Sequence, residues 1–145
     1  MGNQGIGARL SSLMREAISN RRNVRRYPVT LPLKFCVIHQ SRGIAVQTSR
    51  IIPAYTFDLS RNGLSIKTSI VQIDGMHISV SPDSSLYKIL EIDLALPNRR
   101  IMLKGTPIRY ELKEEKNGYI VGVKITAMPP DDRKLYEAYL KSLST

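Results

Sequence analysis

From Val29 onward, apolar residues recur at every second position through much of the chain. Val29, Leu31, Leu33, Phe35 and Val37 alternate with Thr30, Pro32, Lys34 and Cys36, the pattern of a strand with one buried face. Pro32 has no N–H to give to a ladder, which predicts an edge position or a bulge there. Ser41-Arg42-Gly43 reads as a turn, and a second extended region runs from about Ile44 to Phe57 with a break near Pro53. The alternation returns in Leu64, Ile66, Thr68 and Ile70, in Leu90, Ile92, Leu94 and Leu96, and in Ile108, Tyr110 and Leu112. Asn117-Gly118 is the strongest hairpin signal, because a type I′ turn needs positive φ at both central residues. Tyr119, Val121, Val123 and Ile125 form the return strand. Residues 71–88 are the least readable stretch, and the Ser/Pro/Asp-rich segment 81–85 reads as an exposed loop.

At the two ends the period changes. Leu10, Leu13, Met14 and Ile18 recur at three- and four-residue spacing, which predicts a short helix over 8–19 with a frayed start at Gly2, Gly5 and Gly7. Pro129-Pro130 ends the sheet region, and Asp131 or Asp132 is placed to cap a last helix. Its apolar face, Leu135, Tyr136, Tyr139 and Leu140, suits either closing the open end of a barrel or pairing two copies in a homodimer. About six half-buried strands lie between, as in a small antiparallel barrel or sandwich. The expected organisation is a helical arm over 1–20 and a β domain with a C-terminal helix over 21–145.

At 145 residues the chain has room for one domain. Cys36 is the only cysteine, so neither an internal disulfide nor a cysteine-based zinc site is available. His39 and His77 lack partners at metal-ligand spacing. No GxSxG, P-loop or HExxH occurs, so an enzyme is not expected, nor is a cofactor. No apolar run approaches the ~20 residues of a membrane span and no signal-peptide stretch opens the chain, which makes the cytoplasm the expected location.

Charge sharpens the picture. The net charge is +10, and residues 1–26 hold six arginines against the single acid Glu16. Half of the net charge therefore sits in under a fifth of the chain. Arg21, Arg22, Arg25 and Arg26 fill four of six consecutive positions, a local anion site or an exposed basic tail.

Two local patterns carry chemistry. Arg22-Asn23-Val24-Arg25-Arg26 is an RxxxR directly before Tyr27-Pro28-Val29, with Arg21 and Arg25 forming an overlapping RxxxR. Asp58-Leu59-Ser60-Arg61-Asn62-Gly63 is a DxSxxG. Guanidinium groups grip phosphate oxygens or a purine's Hoogsteen edge and stack on π faces. Asp58 can accept from an N–H pair such as guanine N1 and N2, Ser60 supplies a hydroxyl, and Gly63 permits positive φ and close backbone approach. Alone, the first pattern also fits a solvated basic linker and the second an ordinary turn. Together they suit a ligand with phosphates and guanines. A nucleic-acid-binding barrel fits less well, since aromatics are only 6% and Trp is absent.

In these features residues 21–140 resemble the PilZ domains, which bind the bacterial second messenger cyclic di-GMP. The resemblance rests on the RxxxR, on Asp58 to Ile66, on the strand Tyr119-Ile120-Val121-Gly122-Val123-Lys124-Ile125, and on the C-terminal helix. It implies a six-stranded antiparallel β-barrel with the arginine segment over its surface. By the resemblance, Arg22 and Arg26 contact guanines and phosphates, Asp58, Ser60 and Gly63 complete the site, and Arg21 adds a donor for a second nucleotide. The expected function is a non-catalytic receptor that reports the messenger to an unidentified protein effector. The alternative is a PilZ-fold interaction module with little nucleotide affinity.

Overall fold

The computed structural model describes residues 24–78, 86–113 and 118–144. The predicted helix over 8–19, Arg21, Arg22 and the 81–85 loop lie outside the described residues. Ten strands and one helix are described: β1 (Arg26–Tyr27), β2 (Pro32–Ser41), β3 (Ile44–Thr48), β4 (Ile52–Ser60), β5 (Gly63–Thr68), β6 (Gln72–Ile73), β7 (Met76–His77), β8 (Leu86–Leu96), β9 (Arg99–Lys113), β10 (Gly118–Ala127) and α1 (Pro130–Leu143). The main sheet runs β1-β4-β5-β10-β9-β8-β2-β3, and an added pairing of β4 with β2 closes β2, β4, β5, β10, β9 and β8 into a ring. The fold is therefore a closed six-stranded antiparallel barrel with a C-terminal helix.

Alternation explains the interior. Leu33, Phe35 and Val37 on β2, Leu64 and Ile66 on β5, Leu90, Ile92 and Leu94 on β8 and Val121 and Val123 on β10 are all buried in one cluster. Closure leaves two joints, each stitched by a hydroxyl. The free edge of β4 is shared by β2, opposite Ile52–Tyr55, and β1, opposite Leu59 and Ser60. Between them, buried Thr56 donates to the Val29 carbonyl while its Oγ1 accepts from Leu31 N at 2.8 Å. At the second joint, where β3 gives way to β4, Ser49 Oγ accepts from Val37 N at 2.9 Å. These side chains supply hydrogen bonds the ladder lacks at a handover between strands.

Several expectations shift. The break in the second extended region falls at 49–51, while Pro53 lies inside β4 opposite Lys34. Pro32 is the first residue of β2, inside the ring, where its missing N–H is tolerated. The strand expected near Ile108 begins at Arg99 and includes buried Ile101 and Leu103. Ile70 lies beyond β5 and is exposed. In the unreadable stretch, β6 and β7 form a hairpin through Asp74-Gly75, with φ of 52° and 83°, and bury Ile73 and Met76. Neither Asp131 nor Asp132 caps α1, whose N-cap is Pro129 with no side-chain cap bond. Asp132 instead accepts the Met102 N–H at 2.9 Å and ties the helix to β9. The helix lays Tyr136 and Leu140 into the core, as its apolar face requires.

Candidate functional site

The chain enters the barrel through β1, and that short strand brings the two sequence patterns together. Arg26 pairs with Ser60 and Tyr27 with Leu59. Arg26 Nη1 lies 3.7 Å from Asp58 Oδ2. The Arg26 side chain is 47% exposed and that of Asp58 only 15%. An ion pair this open and this long contributes at most about 1 kcal/mol. Among the described residues none donates a hydrogen bond to Asp58, whose carboxylate oxygens can accept from a ligand. Arg25 turns the other way along the strand and stacks over Tyr27, 5.2 Å from the ring centre.

Asp58 faces outward because β4 carries a bulge. Thr56 pairs with Ile66 and Asp58 with Ser65, so Phe57 is the extra residue. Before it, Ile52, Ala54 and Thr56 are buried; after it, Leu59 is buried and Asp58 points to the surface. A bulge shifts the two-residue period by one and re-aims the side chains beyond it.

The Ser60–Gly63 turn is held at each carbonyl. Tyr136 donates to Ser60 O at 2.7 Å and lies 3.4 Å from Gly63 O. Arg133 donates to Arg61 O at 3.0 Å, and Ile125 N donates to Asn62 O at 2.9 Å. Ser60 Oγ donates to Gly63 O at 3.1 Å, which leaves its lone pairs outward as acceptors. Arg61 and Glu137 add an exposed ion pair at 3.8 Å. Burial pushes the Tyr136 phenol well above the usual tyrosine range, so it stays a donor.

Of the two roles its spacing suggested, Gly63 fills close backbone approach and not positive φ. Only Gly43 and Gly75 have positive φ among the described glycines. A Cβ on Gly63 would stand 2.6 Å from the Val123 carbonyl oxygen, so the glycine serves close approach of β5 to β10. Tyr136 and Arg133, which hold the turn, were not legible as site residues. The lone hint was a hydroxyl within the apolar face of α1.

The arrangement offers guanidinium donors, an outward carboxylate and a rigid turn. No group of three His, Cys, Asp or Glu residues among the described ones could hold a metal ion. No helix among them is long and apolar enough to cross a membrane. A shallow groove of about 620 Å³ lies along the earlier part of β4, lined by Pro53, Tyr55 and Phe57; Arg26, Asp58, Ser60 and Gly63 do not line it.

The model of the PilZ domain family matches residues 19–142, the arginine segment, the barrel and all but the last residue of the helix. The chain belongs to the PilZ domain family. PilZ domains are in general receptors for cyclic di-GMP, binding domains without catalytic chemistry. No curated protein matches the chain. Among solved structures, this PilZ domain is similar to the crystal structure of the PilZ domain of CeSA from a cellulose synthesizing bacterium. That likeness has 18% identity and a TM-score of 0.47, and covers 83% of this chain and 99% of the other.

Proposed function

We propose that this PilZ domain binds cyclic di-GMP over the Arg26–Asp58 face and reports its occupancy to a protein partner. The observation that carries the reading is the approach of Arg26 to Asp58 and Ser60, which joins the arginine segment to the DxSxxG turn. The ligand supplies two phosphodiester anions and two guanines. Arg26, with Arg22 and Arg21 upstream, suits phosphate oxygens and guanine edges, and Asp58 suits guanine N1–H and N2–H. The existing ion pair resists little, because it is long and solvated. Adenine has neither donor, so a cyclic di-AMP complex leaves a mostly covered carboxylate without the bonds that offset its desolvation. Arg26 and Tyr27 already lie in the sheet, which confines any ligand-driven ordering of the arm to the residues before them. Arg21, just ahead of the RxxxR, supports a second bound nucleotide.

Calorimetric titration of the full chain with cyclic di-GMP tests this, with cyclic di-AMP and GTP as controls. Arg26→Ala and Asp58→Ala are each expected to weaken binding about tenfold or more with the melting temperature nearly unchanged. Absence of binding, or equal affinity for cyclic di-AMP, overturns the proposal.

A further inference from the structure

A second arginine, far from the RxxxR in sequence, faces the same outer row of the barrel. Asp58 pairs with Ser65, Ser65 with Gly122, and Gly122 with Arg109. Cross-strand partners share a face, so these four residues form one row on the outer face of β4, β5, β10 and β9, in which Ser65 and Gly122 are themselves covered and Arg109 is exposed. The flanking rows, Thr56-Ile66-Val121 and Leu59-Leu64-Val123, are buried. A bulge stands at each end of this row. Phe57 is the extra residue beside Asp58; at the other end Val123 pairs with Pro107 and Gly122 with Arg109, leaving Ile108 as the extra residue. Ile101, Leu103 and Gly105 on β9 face inward, so without that bulge Arg109 would face inward too. Two period shifts thus turn one carboxylate and one guanidinium onto the same strip of surface.

The Arg109 side chain then crosses from β9 onto β10. A Cβ placed on Gly122 would lie 2.7 Å from Arg109 Nε and 2.9 Å from its Cγ. The bare glycine seats the arginine stem. Two other outward cations of this strand have acids near them on β8: Arg100 bonds Asp93 at 2.9 Å, and Lys104 lies 4.0 Å from Glu91. Arg109 has no acid within ion-pair distance among the described residues, and it lies beyond the last β8–β9 pair, Leu90 with Gly105. From the Gly122 column to the Asp58 column is two strand spacings, roughly 10 Å.

We propose that Arg109 is a binding residue for the same nucleotide ligand, taking a phosphodiester oxygen at the end of the row opposite Asp58 and Arg26. The inference rests on the cyclic di-GMP reading and adds a second charged anchor on the rigid barrel wall. Arg26 arrives on a short strand at the chain's entrance; Arg109 is held between a bulge and a glycine seat. Such an anchor fixes the ligand's direction across the sheet, which a single guanidinium cannot do.

Calorimetry with cyclic di-GMP on Arg109→Ala, Gly122→Ala and the double variant tests the inference. Arg109→Ala should weaken binding about tenfold or more, with melting close to wild type because the side chain is exposed. Gly122→Ala keeps the charge but displaces the arginine from its seat, so it too should weaken binding. The double variant should be no worse than Arg109→Ala. Wild-type affinity in Arg109→Ala, while Asp58→Ala loses binding, overturns the inference and leaves the underlying reading standing. A loss in Gly122→Ala that adds fully to that of Arg109→Ala also overturns it. No binding by the wild-type chain overturns both.

Discussion

Replacing Tyr136 with Phe isolates the hydrogen bond that hangs the functional turn from the helix. The ring is fully buried and its packing survives the change. What disappears is the 2.7 Å bond to Ser60 O and the weaker approach to Gly63 O at 3.4 Å. Gly63 O keeps the Ser60 hydroxyl as a donor, so one carbonyl, Ser60 O, loses its principal partner. A partly buried acceptor left that way costs about 1–2 kcal/mol, or roughly 3–4 °C of melting temperature per kcal/mol for a chain of this size. The pH dependence gives an independent check. Burial raises the folded-state pKa of this phenol above its ordinary value. Above about pH 10 the unfolded chain therefore holds fewer protons than the folded one, and stability falls as pH rises. At pH 11 the wild-type chain should have lost on the order of 1 kcal/mol through this group, a loss the phenylalanine variant cannot suffer. Denaturant melts at pH 8 and pH 11 measure the difference between the two proteins. It should shrink from about 1–2 kcal/mol to near zero. A difference below about 0.5 kcal/mol at pH 8, or one unchanged at pH 11, would refute the reasoning.

Two further substitutions probe how the site is carried. Gly63→Ala should destabilise the barrel by about 1–3 kcal/mol, because its Cβ meets the backbone oxygen of Val123 rather than a movable side chain; an unchanged thermal melt contradicts the close-approach role. Thr56→Val keeps shape but orphans Leu31 N and Val29 O, at roughly 1–3 kcal/mol for each group. Hydrogen exchange should show Leu31 losing protection before the β8–β9 ladder, and equal protection in both proteins would count against the stitch.

Much of the architecture can be read from local chemistry. A buried strand face needs an apolar residue at every second position, so Leu33 to Val37, Leu90 to Leu96 and Tyr119 to Ile125 announce themselves. So does the C-terminal helix, from Pro129-Pro130 and the spacing of Leu135 to Leu140. The DxSxxG and the arginine cluster are equally visible, because guanidinium, carboxylate and small turn residues are scarce in such combination. Pairing is where local pattern stops. The β4–β2 contact that closes the ring, and the entry of Arg26 beside Asp58, join residues 17 to 34 positions apart. Nothing in either segment specifies its partner's register. Bulges are also silent in sequence, since Phe57 and Ile108 read as ordinary members of alternating strands. Each moves every later side chain to the opposite face, and only cross-strand pairing reveals the shift. Tyr136 shows the same limit: its spacing declares a core residue, while its hydroxyl's bond to Ser60 depends on how the helix docks. Periodicity thus determined burial along the regular stretches of each element, but not at or past the bulges, where Ile108 is exposed. The assembled barrel decided which surface residues meet, because that depends on register and docking, set by interactions between distant segments.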